Sequence, residues 1–540
     1  MKLINKTISI LGMFSLLAGF AFAGPVEKGI EFYEVKMYET AKAYLLRGIQ
    51  SGTNTPEAYY YLGDTYLMLD KQDSAIFYFN KSKAANPDYM LPVVGEGRVA
   101  LKGNNAVAAK DLFEQAIKKD KKNPEIYTAI AEAYVNQKLF SEALDMLEKA
   151  RKAKKNYPNS FVVEGDMFVL QEKAGDACQK YDNAIYFDAQ MKQAYLKEAR
   201  VYKHINTSRA IEILDILVAI DPEYIPTYVE YAEIYYSTNF KKALDAYEKY
   251  VHEPGIPIKE VERYASILYF TENYQKSLDY VQKALNVNPD NFVMKRIEMY
   301  NNFELENVEK AFSLGQKFFQ AKGEKDEYIS QDYVTYGRIL QKNQQDSLAI
   351  VYLTKAIELD TSKVELYKEI STAFEKSEKF EQAIEYFQKY MDALGTPNTS
   401  DYYMFGRTYY QAGTQMGIQN DTIAQKEYLQ KADNMFEEVT KQNSDSYLGY
   451  LWRSRSLASL DPELVEGLAK PLYEQTLEKL LEANEDGKRN RDITECYMYL
   501  GNYYYLNDDK ANAILNFEKA LELNPTNEAL KEAIDGIKKQ

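Results

Sequence analysis

The chain has 540 residues, 27% of them charged and 46% hydrophobic, with only 15 prolines. This balance excludes a disordered chain and fits a folded one. Its formal charge of −15 argues against nucleic acid or an anionic bilayer as the main partner. The 48 tyrosines are the oddity, but tyrosine fills helix–helix contacts while keeping a polar tip, so abundance alone marks no site.

Residues 1–23 read as a secretory signal. Lys2 and Lys6 form a positive start, and an apolar run ends in Ala21-Phe22-Ala23, so cleavage is expected before Gly24. The run falls short of the roughly 18–20 apolar residues that span a bilayer, and no cysteine stands at the cleavage point for lipid attachment. Residues 24–540 carry 64 Lys and Arg against 81 Asp and Glu, a formal −17. With no later apolar run of spanning length, the mature chain is expected to have no integral membrane segment. Export to the periplasm or the cell surface follows as the expected localisation.

From Gly24 onward a small residue recurs at Gly29, Gly63, Gly97, Ala131, Gly165, Ala199, Ala232 and Ala265, with five intervals of 34 and then two of 33. The series resumes at Gly337, Ser371, Gly406 and Gly501. A second series follows about twelve residues behind, among others at Ala41, Ala75, Ala109, Ala143, Ala177, Ala210, Ala243, Ser277, Ala311, Ala349, Ala383 and Ala513. Around these anchors the second unit reads Tyr59, Leu62, Gly63, Tyr66, Ala75, Phe79, Ser82 and Pro87. The last reads Tyr497, Leu500, Gly501, Tyr504, Ala513, Phe517, Ala520 and Pro525. Spacings of three, four and seven put such residues on one helix face. Small residues suit the place where two helices cross closely, and proline ends each unit.

This layout resembles the tetratricopeptide repeat, whose aromatic–Leu-Gly–Tyr–Ala–Phe–Ala–Pro signature fills 34 residues. The resemblance implies an all-α fold, a right-handed superhelical solenoid of antiparallel helix pairs, with about fourteen units over residues 24–525. An N-terminal part covers 24–325 and a C-terminal part 326–525. The latter holds a longer irregular segment at 411–493, with longer helices and then an irregular unit around Trp452. The unit at 292–325 keeps Ala311 but lacks the Leu-Gly step. Residues 526–540 read as a capping helix with a polar outer face, each repeat being expected to touch only its neighbours.

In that family the first helix of each unit lines a concave groove. Carried onto this chain, the groove positions give candidate binding residues Tyr60, Asp64, Arg98, Arg200, Arg338, Tyr403, Arg407, Tyr410, Met498, Asn502 and Tyr505. Tyr403, Arg407 and Tyr410 share one face, as do Met498, Asn502 and Tyr505. The Lys and Asn arrangement with which some members clamp a C-terminal carboxylate is missing.

Motifs for chemistry are sparse. Gly95–Ala100, "GEGRVA", fits a dinucleotide fingerprint, but Gly97 is already explained as a repeat anchor. His204 and His252 are too far apart for a zinc motif and read as solvated or capping residues. No nucleophile elbow or phosphate loop is present. The Asp-Ser and Asp-Thr pairs at Ser74, Ser347 and Thr422 fit helix N-caps or, alternatively, O-glycosylation acceptors. Cys178 and Cys496 lie 318 residues apart in the sequence, so both are expected to be free thiols. No catalytic residue, cofactor or metal is expected. The leading expectation is an exported, non-catalytic scaffold that binds proteins or extended peptides, within a possible envelope complex and without nucleic acid. The alternative is a glycan-associated or carbohydrate-uptake accessory protein whose tyrosines stack on sugars.

Overall fold

In the computed structural model, residues 24–320, 327–483 and 487–539 are described, and among them are 29 helices and no strand. The signal expected at 1–23 lies outside the described residues. The chain forms two compact units, one up to Ile297 and one from Glu298.

In the first unit, consecutive helices pair as α1 (Pro25–Glu34) with α2 (Tyr38–Gln50) and α3 (Pro56–Met68) with α4 (Gln72–Ala85). They continue as α5 (Leu91–Lys102) with α6 (Ala106–Lys119), α7 (Pro124–Asn136) with α8 (Phe140–Ala153), and α9 (Pro158–Leu170) with α10 (Ala174–Phe187). The last three pairs are α11 (Lys192–Tyr202) with α12 (Thr207–Ile220), α13 (Ile225–Tyr235) with α14 (Phe240–Tyr250), and α15 (Ile258–Phe270) with α16 (Tyr274–Val287).

The unit boundary falls inside α17 (Phe292–Glu304), which is followed by α18 (Val308–Gln320). The second unit continues with α19 (Ser330–Lys342) and α20 (Asp346–Leu359), then α21 (Glu365–Lys376) and α22 (Phe380–Leu394). Next come the long α23 (Thr399–Ile418) and α24 (Thr422–Gln442), then α25 (Tyr447–Leu460) and α26 (Lys470–Ala483). The chain closes with α27 (Asn490–Leu506), α28 (Lys510–Leu523) and α29 (Glu528–Lys539). This all-α solenoid has fourteen pairs and one closing helix, α29, which buries Leu530, Ile534 and Ile537 and leaves its charged face outside.

Local chemistry sets the pair. Proline at the first helical position opens α1, α3, α7 and α9, where its missing N–H would be unsatisfied anyway. Between first and second helices the chain turns through a residue of positive φ at Lys36, Asp70, Asn104, Lys138 and Glu172, each 34 after the last. The α11–α12 and α13–α14 turns contain no such residue. There 11 residues rather than 12 separate the two anchors, Ala199 from Ala210 and Ala232 from Ala243, which is why the sequence interval drops to 33. Where the helices cross, a Cβ added to Gly63 would lie 2.7 Å from the Phe79 ring and 3.1 Å from the Ala75 carbonyl oxygen. In α17 the anchor position holds Met299, fully buried; the small residue has moved to the partner helix as Gly315, whose added Cβ would come 3.3 Å from the Met299 sulfur.

Of the expectations for local motifs, the N-caps alone need correction. The "GEGRVA" stretch is helical throughout, with Gly95 and Gly97 packed on Phe79 and Phe113, so no strand precedes a phosphate loop. Of the three proposed N-caps only Asp421 caps its helix, accepting from the Ala424 N–H at 3.0 Å. Asp73 and Asp346 sit inside the first turns of α4 and α20, where their charge favours the positive helix end instead. Cys178 and Cys496 are free and buried, and burial raises both thiol pKa values, that of Cys178 to about 11.

The expectation that only neighbouring repeats touch fails in the first unit. Arg200 donates to the Val35 carbonyl at 2.8 Å, Lys192 pairs with Glu31, Tyr44 bonds to Glu253, and Thr40 donates to the Gly255 carbonyl at 3.3 Å. Val35 packs among Leu196, Ile213, Leu214 and Tyr224. The first repeat thus docks on the sixth, the seventh and the loop after it. Gly255 (φ +75°) is required there, since a Cβ would meet the Glu39 carbonyl oxygen at 2.5 Å.

Candidate functional site

The first helix of each pair carries polar side chains that reach the first helix of the next. In the first unit, Arg98 on α5 bridges Asp64 on α3 and Glu132 on α7, and also donates to the Ala129 carbonyl at 2.9 Å. Lys197 on α11 meets Asp166 on α9 at 2.8 Å, and Arg200 meets Glu230 on α13 at 2.7 Å. In the second unit Arg338 forks onto Glu369 at 3.1 and 2.6 Å, and Lys368 meets Asp401 at 3.1 Å. These pairs cross-link repeats.

The end of α1 covers the first unit's ladder. Tyr33 donates to Asp64, and the Arg98 guanidinium lies 3.2 Å from its hydroxyl. Lys36 joins Asp166 at 3.3 Å. Burial opposes the Asp166 charge, yet Lys197 and Lys36 hold its pKa down at about 2.

The second unit builds a different face around Trp452 on α25, the single tryptophan of the chain. Tyr403 and Tyr410 from α23 stand edge-on to it, at 6.1 Å and 5.3 Å between ring centres, and Phe436 from α24 lies at 5.6 Å. Two guanidinium groups rest over the indole, Arg455 at 4.8 Å and Arg407 at 5.6 Å. Arg455 is committed: it forks onto Glu495 of α27 at 2.8 and 2.6 Å and reaches Asp492 at 3.3 Å. Arg407 is exposed and makes no hydrogen bond or ion pair. A guanidinium held over an aromatic ring with its N–H fork unoccupied can receive a carboxylate in bidentate fashion. Among the described residues no group of His, Cys, Asp and Glu could hold a metal ion, and no helix is long and apolar enough to cross a membrane.

Family models described as "Tetratricopeptide repeat" match residues 56–89, 100–160 and 494–527. These segments are tetratricopeptide repeats. The chain is 31% identical over 102 residues to the uncharacterized protein ycf37 of Guillardia theta, covering 18% of this chain and 57% of that protein. It is 26% identical over 196 residues to stress-induced-phosphoprotein 1 of Caenorhabditis elegans, covering 36% of this chain and 52% of that one. It therefore spans little more than half the length of these relatives. A solved structure of the C-terminal part of a TPR repeat-containing protein from Cytophaga hutchinsonii is 28% identical, with 50% of this chain and 98% of that chain covered at a TM-score of 0.41.

Within this array of helix pairs the groove positions read from the sequence divide. Tyr60, Asp64 and Arg98 are brought together but buried, at 3%, 0% and 5% exposure, and Arg200 is occupied by Glu230 and Val35. Arg338 is half-buried on Glu369. Tyr403, Arg407 and Tyr410 converge on Trp452. On α27, Met498 packs against the terminal core, while Asn502 and Tyr505 are exposed. Sequence reasoning did not place Trp452 and Arg455 in the groove because the irregular unit offered no glycine anchor. Ser454 is that anchor: it is fully buried, 48 residues after Gly406 and 47 before Gly501. Arg455 follows it as Arg407 follows Gly406.

Proposed function

We propose that the protein is a non-catalytic scaffold whose Trp452 face binds an extended segment of a partner protein, with an acidic group seated on Arg407. The exposed, unpartnered Arg407 beside Tyr403, Tyr410 and Trp452 carries this reading, since aromatic residues and arginine dominate the energy of protein interfaces. The relatives' shared repeat type supports it at the level of fold only. The glycan reading is less favoured, because Arg407 and Arg455 occupy positions over the indole where a sugar ring would stack. We place the protein in the periplasm or at the cell surface, as part of an envelope complex, on the character of residues 1–23; N-terminal sequencing of the native protein should begin at Gly24.

The binding test uses the lone tryptophan as its own reporter. Extended peptides carrying an Asp or Glu should shift Trp452 emission saturably, and matched peptides with Asn or Gln should bind more weakly. Arg407→Ala should reduce affinity about tenfold or more with unchanged helical circular dichroism. Unchanged affinity in that variant, or no emission response to any peptide, rejects the assignment.

A further inference from the structure

The first unit contains a second feature, separate from the Trp452 face. Where α1 docks on the inner helices, a pocket of about 90 Å³ remains, partly open to solvent. Its walls include Glu34 from α1, Tyr60 and Tyr61 from α3, Glu125 from α7, and Tyr157 before α9. Tyr61 stands at 64° to Tyr60 and 70° to Tyr33, with ring centres 5.1 and 5.2 Å apart, so the rings form a corner.

The carboxylates are the unusual part. Neither the Glu34 nor the Glu125 side chain has a hydrogen bond or an ion pair. The cations nearby are engaged elsewhere: Lys197 and Lys36 with Asp166, and Arg98 with Asp64 and Glu132. Burial, relieved only in part by Lys197, pushes the Glu34 pKa up to about 7. Burial, and then the charge of Glu57, also raises that of Glu125. Both carboxylates are half-buried, and tyrosine faces attract a cation by their ring quadrupoles.

We propose that this cavity binds a primary alkylammonium group, the end of either a lysine side chain or a free amine. The compact ammonium presents three N–H donors, and the pocket lining offers it the Glu34 and Glu125 carboxylates beside the tyrosine rings. A larger pocket of about 560 Å³, lined in part by Val169, Val201 and Ile205, shares the Asp166–Lys197 pair as a wall.

The test titrates the full-length protein with n-butylammonium and, as the uncharged control, n-butanol, followed by calorimetry. Saturable binding of the ammonium alone is expected. The double variant E34Q/E125Q should bind it at least tenfold more weakly while remaining folded by circular dichroism. Tyr61→Phe should retain affinity and Tyr61→Leu should lose severalfold. Comparing Nα-acetyl-lysine methylamide with 1,4-diaminobutane then separates a peptide side chain from a free amine as the natural source. Equal binding of butanol, undiminished affinity in E34Q/E125Q, or no saturable binding of any amine overturns the proposal.

Discussion

Arg98 and Arg407 stand at the same place in their repeats, one residue past the small residue of the helix crossing. Arg98 is 5% exposed and bridges two carboxylates, whereas Arg407 is exposed and forms no ion pair, acting on Glu375 only at longer range. The repeat therefore dictates where a side chain points but not whether it is free. What decides is the residue at the same position one repeat away: Asp64 and Glu132 flank Arg98, while Thr372 and Arg455 flank Arg407. In the first unit the groove is closed by its own first repeat; around Trp452 a cation remains uncommitted.

The strongest way to break this contrast is to remove each arginine. Arg98→Ala leaves Asp64 buried without its cation and should destabilise the first unit by about 3–5 kcal/mol. Arg407→Ala should change stability by no more than about 0.5 kcal/mol. Urea unfolding of both variants measures the difference, and equal losses would erase the distinction. By contrast, overpacking should affect both units alike. Gly63→Leu in one and Gly501→Leu in the other drive a side chain into Phe79 or Phe517, at a cost of about 1–3 kcal/mol each. A clear inequality in thermal melts would mean that the units differ in their spines as well as their grooves.

A smaller effect depends on pH. The Glu34 pKa is higher folded, at about 7, than its ordinary value of 4.5. The folded state thus binds the extra proton, and stability from this group is present at low pH and lost as pH rises through 7. Glu34→Gln should match the parent near pH 4.5 and exceed it by on the order of 1–2 kcal/mol at pH 8. A gap that does not widen with pH would show that Glu34 meets a cation in the folded protein. Smallest of all, Lys138→Gly relieves a left-handed turn residue and should stabilise by about 0.5–1 kcal/mol. The same change at Tyr236, in the α13–α14 turn that lacks such a residue, should not.

Much of the spine was legible in the sequence because a 34-residue period repeats one small anchor and one aromatic filler, and packing enforces both. Even the two 33-residue intervals carried information, marking turns that lack the left-handed residue. The site was less legible for two physical reasons. Ser454 replaces glycine as the crossing residue, which hid Arg455 and the setting of Trp452. In addition, the contacts of Val35 with Arg200 and of Lys36 with Asp166 join residues more than a hundred positions apart, and no periodic pattern encodes such pairing. Asp64 and Arg98 did point inward, but their occupant is the chain itself.

The docking of the first repeat has a consequence for how the protein is made. Thr40 and its partner Gly255 are separated by 215 residues, so at a synthesis rate of roughly 5–20 residues per second the surface of α1 and α2 waits about 10–40 s for its cover. During that interval Phe32, Tyr33, Val35 and Tyr44, all buried in the finished fold, lack part of the surface they will pack against. The nascent chain thus presents an apolar face early and withdraws it late, and that window is when a holding chaperone would have something to hold.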